Sequence, residues 1–347
     1  MSVQLKEAVL WEPAGDQQVV CKLCHFRCCI KEGNVGVCRV RRNVGGKLYS
    51  LSYQAICATH IDPIEKKPLF HFQPGSRSFS MAAVGCNFQC DFCQNWQISQ
   101  YPRLHENLVH RCATPEELVR TARQQRCTSI SYTYTEPTVF MELCGECGRL
   151  ARKEGLANVF VSNGYMTPEA IDYARDFLDA INVDLKAFTE EFYRDVCKAR
   201  LGPVLETLQY IARQTDIWLE ITTLVVPGLN DSEQELQDIA EFIAGELGPQ
   251  VPWHISRFHP DFQRDGVHPT PAETLSLAYD LGRQAGLHYV YVGNMPAFGR
   301  ESTCCHECGE LLIERLGYQI GQFNLLNGKC PGCGTALAGK LLQPIPF

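Results

Sequence analysis

From Phe79 onward, short β-rich runs alternate with longer segments whose apolar residues recur at helical spacing. The runs are SMAAVG, SISYTYT, NVFVSN, AINVDLK, WLEITTLVVP, PWHISRF and YVYVG. Between them lie recognisable helix starts. Thr114-Pro115-Glu116-Glu117 is a capping box with proline at the first helical position. Thr167-Pro168-Glu169 opens another helix, and Asp231-Ser232-Glu233 a third. In the third, Leu236, Ile239, Ala240, Phe242 and Ile243 fall on one face. Such alternation predicts parallel strands with helical crossovers, hence an α/β barrel or open sheet.

In these folds chemistry gathers at the carboxyl ends of the strands. Cys86 follows the first run, Glu136 the second, and Ser162 and Asn163 the third. Asp184 and Lys186 follow the fourth, Pro227 and Gly228 end the fifth, and His254 lies in the sixth. Two cysteine-bearing lobes flank the alternating region, so three units are expected: 1–77, 78–300 and 301–347. The first is a turn-rich lobe ending in the connector DPIEKKPLFHFQPGSRS. The last carries two C-x2-C-G knuckles, Cys305/Cys308 and Cys330/Cys333, a zinc-ribbon spacing in which Cys304 is a bystander.

Composition sharpens this picture. A chain of 347 residues, 45% hydrophobic, can bury a large core, and its length suggests roughly two domains. Net charge is -7 without a long basic run, which argues against a nucleic-acid partner. The start MSVQLKEAVLWEP has no apolar signal core and no stretch is long enough to span a bilayer, so a cytoplasmic protein without membrane partners is expected. Nineteen cysteines in such a chain point to metal or redox-cofactor ligation rather than disulfides. They cluster: five between Cys21 and Cys38, three between Cys86 and Cys93, five between Cys304 and Cys333. Cys144 and Cys147, in a helical segment, read as ordinary packing.

The middle cluster, in GCNFQCDFCQNW, stops at three thiols where zinc or an ordinary cubane takes four ligands. Three thiolates can hold a four-iron cluster with one iron left open to a small molecule, and Phe92 can shield it. The alternative is a zinc site with a distant fourth ligand. In the N-terminal lobe, Cys21, Cys24 and Cys28 form C-x2-C-x3-C, with Cys38 further on and Cys29 spare. Four thiolates there suit zinc or a second cluster. Zinc is favoured because so small a lobe often needs a metal to fold.

The C-x3-C-x2-C run with an aromatic before its last cysteine resembles the signature of radical S-adenosylmethionine (radical SAM) enzymes. The resemblance covers Phe79 to about Arg300. It implies a partial (β/α)6 barrel and a [4Fe-4S] cluster on Cys86, Cys90 and Cys93. It also implies SAM chelated to the open iron and cleaved to a 5′-deoxyadenosyl radical that abstracts hydrogen. Cys93-Gln94-Asn95 is similar to the Cys-His-Asn of glycyl-radical activating enzymes. Thr135-Glu136-Pro137 stands where Gly-Gly-Glu-Pro meets the SAM amino group, although the two glycines are missing. Ser162-Asn163-Gly164 falls where the superfamily contacts the SAM carboxylate and ribose. Asp184-Leu185-Lys186 resembles the activating enzymes' Asp-x-Lys. Val225-Val226-Pro227-Gly228 resembles the segment beside which adenine packs. Pro252-Trp253-His254 resembles a Pro-Tyr-His whose histidine lies near the sulfonium. With its two lobes the chain resembles the radical SAM enzyme of the AmmeMemoRadiSam system.

Each of these residues also has a plainer reading. Asp184 and Lys186 share one strand face and suit SAM's carboxylate and ribose, or form a structural ion pair. Glu136, restricted by the following proline, suits an ammonium ligand or sits in a solvent-facing turn. His254 contacts ribose or is an ordinary hydrogen-bonded strand residue. Arg257, His259 and Asn294 carry weaker support. Lys66 and Lys67 hold an anionic substrate or belong to a solvated loop. The expected function is hydrogen abstraction fed by an electron donor such as flavodoxin or ferredoxin. The substrate is a glycyl-radical enzyme, as for pyruvate formate-lyase activating enzyme, or a small molecule or partner protein. The reading from another class is a non-catalytic zinc-binding adaptor, against which the acidic balance counts.

Overall fold

The computed structural model describes residues 5–105, 111–295 and 299–341. Residues 1–4 of the expected N-terminal unit and 342–347 of the C-terminal unit lie outside them. Seven parallel strands form the frame among the described residues: β1 (Arg77–Ala83), β2 (Ser129–Tyr132), β3 (Ala157–Ser162), β4 (Ala180–Asp184), β5 (Trp218–Val225), β6 (Trp253–Arg257) and β7 (Val290–Gly293). They pair in chain order. One main helix falls in each connection: α1 (Pro115–Gln124), α2 (Met141–Lys153), α3 (Pro168–Ala174), α4 (Gly202–Gln214), α5 (Glu233–Phe242) and α6 (Ala272–Gln284). The fold is α/β, a partial (β/α)6 barrel of six strand–helix units completed by a seventh strand.

The sequence forms these elements for visible reasons. Both bonds of the Thr114 capping box are made, Glu117 N–H to Thr114 Oγ1 at 3.3 Å and Thr114 N–H to Glu117 Oε2 at 3.0 Å. Thr167 and Ser232 cap α3 and α5 by accepting from Ala170 N–H and Glu235 N–H, each at 3.2 Å. Each cap contributes about 1 kcal/mol. The strands are covered on both faces, so adjacent residues such as Ile181, Asn182 and Val183 are all fully buried.

One element differs from the sequence reading. Ala55–Pro63, inside the expected lobe and connector, is a strand that pairs antiparallel with β1 and extends the main sheet. A bulge near Ile56 and exposed Thr59 and His60 break its alternation, as suits a strand near a sheet edge. The chain then turns inward. Ile64, Leu69 and Phe72 pack on Val159 and Ala180, Pro68 O accepts from Asn182 Nδ2 at 2.8 Å, and Phe70 and His71 N–H donate to Glu220 at 2.9 and 2.8 Å. This plug fills the barrel interior toward the amino ends of the strands and leaves the carboxyl ends open.

The C-terminal lobe is a three-stranded antiparallel sheet, Thr303–Cys304, Leu311–Leu316 and Gln319–Phe323. It shares a small core with the plug and β7 through Phe70, Tyr289 and Tyr291. Gly339 lies so close that a Cβ there would sit 2.4 Å from His71 O, and its φ of +137° disfavours any side chain. The N-terminal lobe holds two three-stranded antiparallel sheets, and its apolar residues run into the barrel core without a break.

His71 is fully buried, with Nδ1 2.7 Å from Ala338 O and Nε2 2.6 Å from Tyr291 OH. Burial lowers its pKa to about 4, against the pull of Glu220. An unfolded histidine protonates near pH 6.5. Between that pH and about 4 the unfolded chain therefore holds the extra proton, and stability falls as pH falls. The expected slope from this residue is up to about 1.4 kcal/mol per pH unit. Urea midpoints measured from pH 6.5 to 5.5 should show a shallower slope in His71→Asn; equal slopes in both proteins would contradict the assignment.

Candidate active site

The loop after β1 is pressed against the N-terminal lobe. Gly85 has φ +107°, and a Cβ there would meet Val40 Cγ1 at 2.8 Å, so glycine lets the chain turn at this point. Cys86, Cys90 and Cys93 follow, and all three line one cavity of about 540 Å³. The other walls come from the carboxyl halves of the strands. Thr222 and Leu224, and Tyr291 and Gly293, line the cavity at the two-residue period of a single strand face, and on β6 His254, Ile255 and Ser256 all reach it.

Of the residues singled out in the sequence, Cys86, Cys90, Phe92, Cys93, Asn95, Glu136, Ser162, Asn163, Asp184, Lys186 and His254 line this cavity. So do Lys66, Lys67 and Asn294. Val226 is not among the walls. It is fully buried just past β5, where its N–H bonds Asn230 Oδ1 at 2.6 Å, and Leu224 takes the wall position on that strand.

The thiols sit among donors. Phe88 N–H lies 3.4 Å and Asn163 Nδ2 3.7 Å from Cys86 Sγ, and Ser99 Oγ lies 3.3 Å from Cys93 Sγ. Burial, with Glu136 next, pushes the Cys86 thiol up; at Cys90 the causes are the neighbouring Cys197 thiol and burial. Lys186 opposes the shift at Cys90 and Cys93. Three crowded, buried thiols ionise together only when positive charge is placed among them, as a metal does.

Glu136 is 2% exposed and heavily used. Its Oε1 accepts from Thr138 N–H at 3.1 Å and Ser162 Oγ at 2.8 Å, and its Oε2 from Asn163 N–H at 2.8 Å. Burial raises its pKa, and these donors oppose the rise. Lys186 Nζ pairs with Asp184 at 2.8 Å and stands 5.9 Å from the Phe92 ring centre. Burial works to lower the Lys186 ammonium, but Asp184 and the thiols of Cys90 and Cys197 outweigh it and hold the pKa above its usual value.

Sequence reasoning missed three features. Glu220 is fully buried, and its Oε2 lies 2.7 Å from His254 Nε2 while Oε1 accepts from Trp218 Nε1 at 2.9 Å. The available signal was a lone acid inside the apolar run WLEITTLVV. Lys67 is buried with Nζ 2.7 Å from Asp62 Oδ2, and burial lowers its pKa to about 8. Tyr134 OH donates to the same carboxylate, and Lys66 reaches its other oxygen at 3.0 Å. Thr222 Oγ1, in the cavity wall, is buried with no partner among the described residues.

A separate constellation lies in the C-terminal lobe. The ligand atoms of Cys305, Cys308, Cys330 and Cys333 all lie within 4.8 Å of one another, with Cys305–Cys333 and Cys308–Cys330 each at 3.6 Å. Tetrahedral Zn–S bonds of about 2.3 Å set sulfurs about 3.8 Å apart, so the set has the spacing of a single ion. Each knuckle is closed by a glycine at positive φ, Gly309 and Gly334, whose N–H returns to Cys305 O and Cys330 O at 2.9 Å. Cys304 is exposed and outside the set.

Residues 82–243, from the end of β1 through α5, match the family model described as the radical SAM superfamily. The chain belongs to the radical SAM superfamily. An uncharacterized protein of Methanocaldococcus jannaschii is 45% identical over 96% of this chain and 99% of its own length. A protein of the same organism named as a glycyl-radical enzyme activating enzyme is 24% identical over 49% of this chain and 64% of its own. Among solved structures, a radical SAM methyltransferase from Sphaerobacter thermophilus shares the fold with a TM-score of 0.51 at 17% identity, covering 69% of this chain and 71% of that one. Radical SAM membership implies SAM and a [4Fe-4S] cluster. The residues present fit both: three thiols facing one cavity with donors on their sulfurs, and beside them a buried carboxylate and an unpartnered hydroxyl.

Proposed function

We propose that this chain is a radical SAM enzyme in which Cys86, Cys90 and Cys93 hold a [4Fe-4S] cluster with one open iron. Bound there, the cluster supplies one electron that splits SAM, giving a 5′-deoxyadenosyl radical that takes hydrogen from a substrate. The observation that carries this reading is the meeting of three thiols and Glu136 in one cavity at the strand ends. Glu136 Oε2 accepts from Asn163 N–H, which leaves that oxygen room for the ammonium of SAM. Asp184, Lys186 and Thr222 are the groups for the carboxylate and ribose, and Phe92 screens the cluster. His254, held by Glu220, is oriented rather than free to rotate. An electron donor such as flavodoxin or ferredoxin supplies the electron. Zinc on the C-terminal cysteines, and three units at 1–77, 78–300 and 301–347, belong to the same proposal. No helix among the described residues is long and apolar enough to cross a membrane.

Two substrate classes remain in play, each with its own support. The relative named as a glycyl-radical enzyme activating enzyme favours a protein glycine. Lys66 and Lys67 in the cavity wall favour a small anionic molecule, or a partner-protein side chain, as in an AmmeMemoRadiSam-type system. The test is anaerobic reconstitution with iron and sulfide, reduction in the presence of SAM, and assay for 5′-deoxyadenosine. Brown protein that forms it is expected; a colourless, zinc-only preparation would favour the adaptor reading. Glu136→Gln should raise the KM for SAM by about tenfold or more, the loss of one charge-assisted bond. An unchanged KM would remove Glu136 from the binding site.

A further inference from the structure

The four N-terminal cysteines form a second constellation that the proposed chemistry leaves unused. Cys21 ends a strand, Cys24 and Cys28 follow in the turn, and Cys38 comes after Gly36. Two of the sulfurs have donors in place. Val37 N–H lies 3.5 Å from Cys28 Sγ, and Arg41 Nη1 lies 3.5 Å from Cys21 Sγ. Arg41 is 1% exposed, and its other terminal nitrogen is paired with buried Glu142. A cation sealed against one thiol and an amide aimed at another supply charge-assisted and backbone bonds of the kind a ligated sulfur takes.

Spacing then decides between one ion and a cluster. Cys21 N–H donates to Cys28 O at 3.0 Å, Arg27 N–H returns to Cys24 O at 2.9 Å, and Val37, next to Cys38, points its N–H at Cys28 Sγ, so the four cysteines share one loop cluster. Yet among the described residues the set of three or more ligand atoms mutually within 4.8 Å is the C-terminal knuckle pair. Neither the N-terminal four nor Cys86, Cys90 and Cys93 has that spacing. Sulfurs on one tetrahedral zinc stand about 3.8 Å apart, whereas thiolates bound to different corners of a cubane stand wider. We infer that Cys21, Cys24, Cys28 and Cys38 hold a second [4Fe-4S] cluster, not zinc, with a protein thiolate at every corner.

The site adjoins the first. Arg103 ties the two loops together, Nη1 to Cys86 O at 3.0 Å and Nη2 to Val37 O at 2.8 Å. Cys38 O lies 3.5 Å from where a Cβ on Gly85 would stand. The inference does not depend on the SAM reading, because these four cysteines supply all their own ligands.

Metal and sulfide analysis of the full-length protein, reconstituted anaerobically with iron, sulfide and zinc all present, tests it. The expected content is about eight irons, about eight sulfides and about one zinc per chain. Cys86→Ala/Cys90→Ala/Cys93→Ala should keep about four irons, remain brown, and give a reduced-state electron paramagnetic resonance signal that SAM does not alter. Wild-type protein with about four irons that vanish in the triple variant overturns the inference, whether the lobe then holds zinc or nothing. Should the triple variant not fold, the wild-type iron-to-zinc ratio decides alone: about eight to one supports the second cluster, and about four to two overturns it. Wild-type protein with about four irons that persist in the triple variant would instead overturn the Cys86 cluster and leave this one standing.

Discussion

Cys90→Ala is expected to reduce 5′-deoxyadenosine formation to below about one-hundredth of wild type while leaving the C-terminal metal in place. The side chain is 7% exposed, and two thiols alone are too few to anchor a cubane that must also keep one iron open. A complication lies close by: the fully buried Cys197 thiol stands against Cys90 and is placed to substitute for it. The test therefore needs Cys197→Ala and the double variant. Cys197→Ala should keep its activity and its iron. If instead that variant alone abolishes turnover, Cys197 is itself a ligand, the fourth corner is closed, and the open-iron reading fails. Any residual activity of Cys90→Ala should disappear in the double variant.

Cys330→Ala is expected to destabilise the C-terminal lobe by more than about 3 kcal/mol, the scale of losing a structural metal. Cys330 is 2% exposed, and the apolar cluster behind it is small. With the proposed zinc bound, a lobe of this size gains most of its stability from the ion. The damage should spread, because Arg315 Nη2 donates to Phe70 O and Arg315 Nη1 to Thr303 Oγ1, both at 2.7 Å. Thr303 Oγ1 in turn lies 2.8 Å from Tyr291 OH, on the cavity wall. Limited proteolysis should cut after residue 300 in the variant, and thermal unfolding should show an early transition. A variant that has lost its metal yet resists protease as wild type does would show that the ion is dispensable for folding.

Much of the frame was legible in the sequence because each strand–helix unit carries its own local periodicity and its own cap. All seven β-rich runs correspond to parallel strands, and Thr114, Thr167 and Ser232 cap their helices. What escaped depends on long-range geometry. The strand Ala55–Pro63, next to the sheet edge, has an irregular face, so its pairing with β1 leaves no period to read. Lys66 and Lys67 are adjacent and chemically alike, yet one is half exposed and the other sealed against Asp62. Glu220 is shared by His254 and by the plug's Phe70 and His71 N–H groups, partners 34, 150 and 149 residues away in the chain. Val226 sits one residue beyond the strand whose wall it was expected to join.

The plug sets the order in which the molecule can be completed. His71 is fastened to Ala338 across 267 residues, and Lys340 N–H closes on His71 O at 2.8 Å. A ribosome must deliver the chain through residue 340 before those contacts can form, and bringing such distant segments together carries a closure entropy that grows with their separation. Until then the underside of the barrel has no lid. Iron and sulfide delivered during synthesis would meet a nascent chain whose upper loops are assembled and whose base is still open to water.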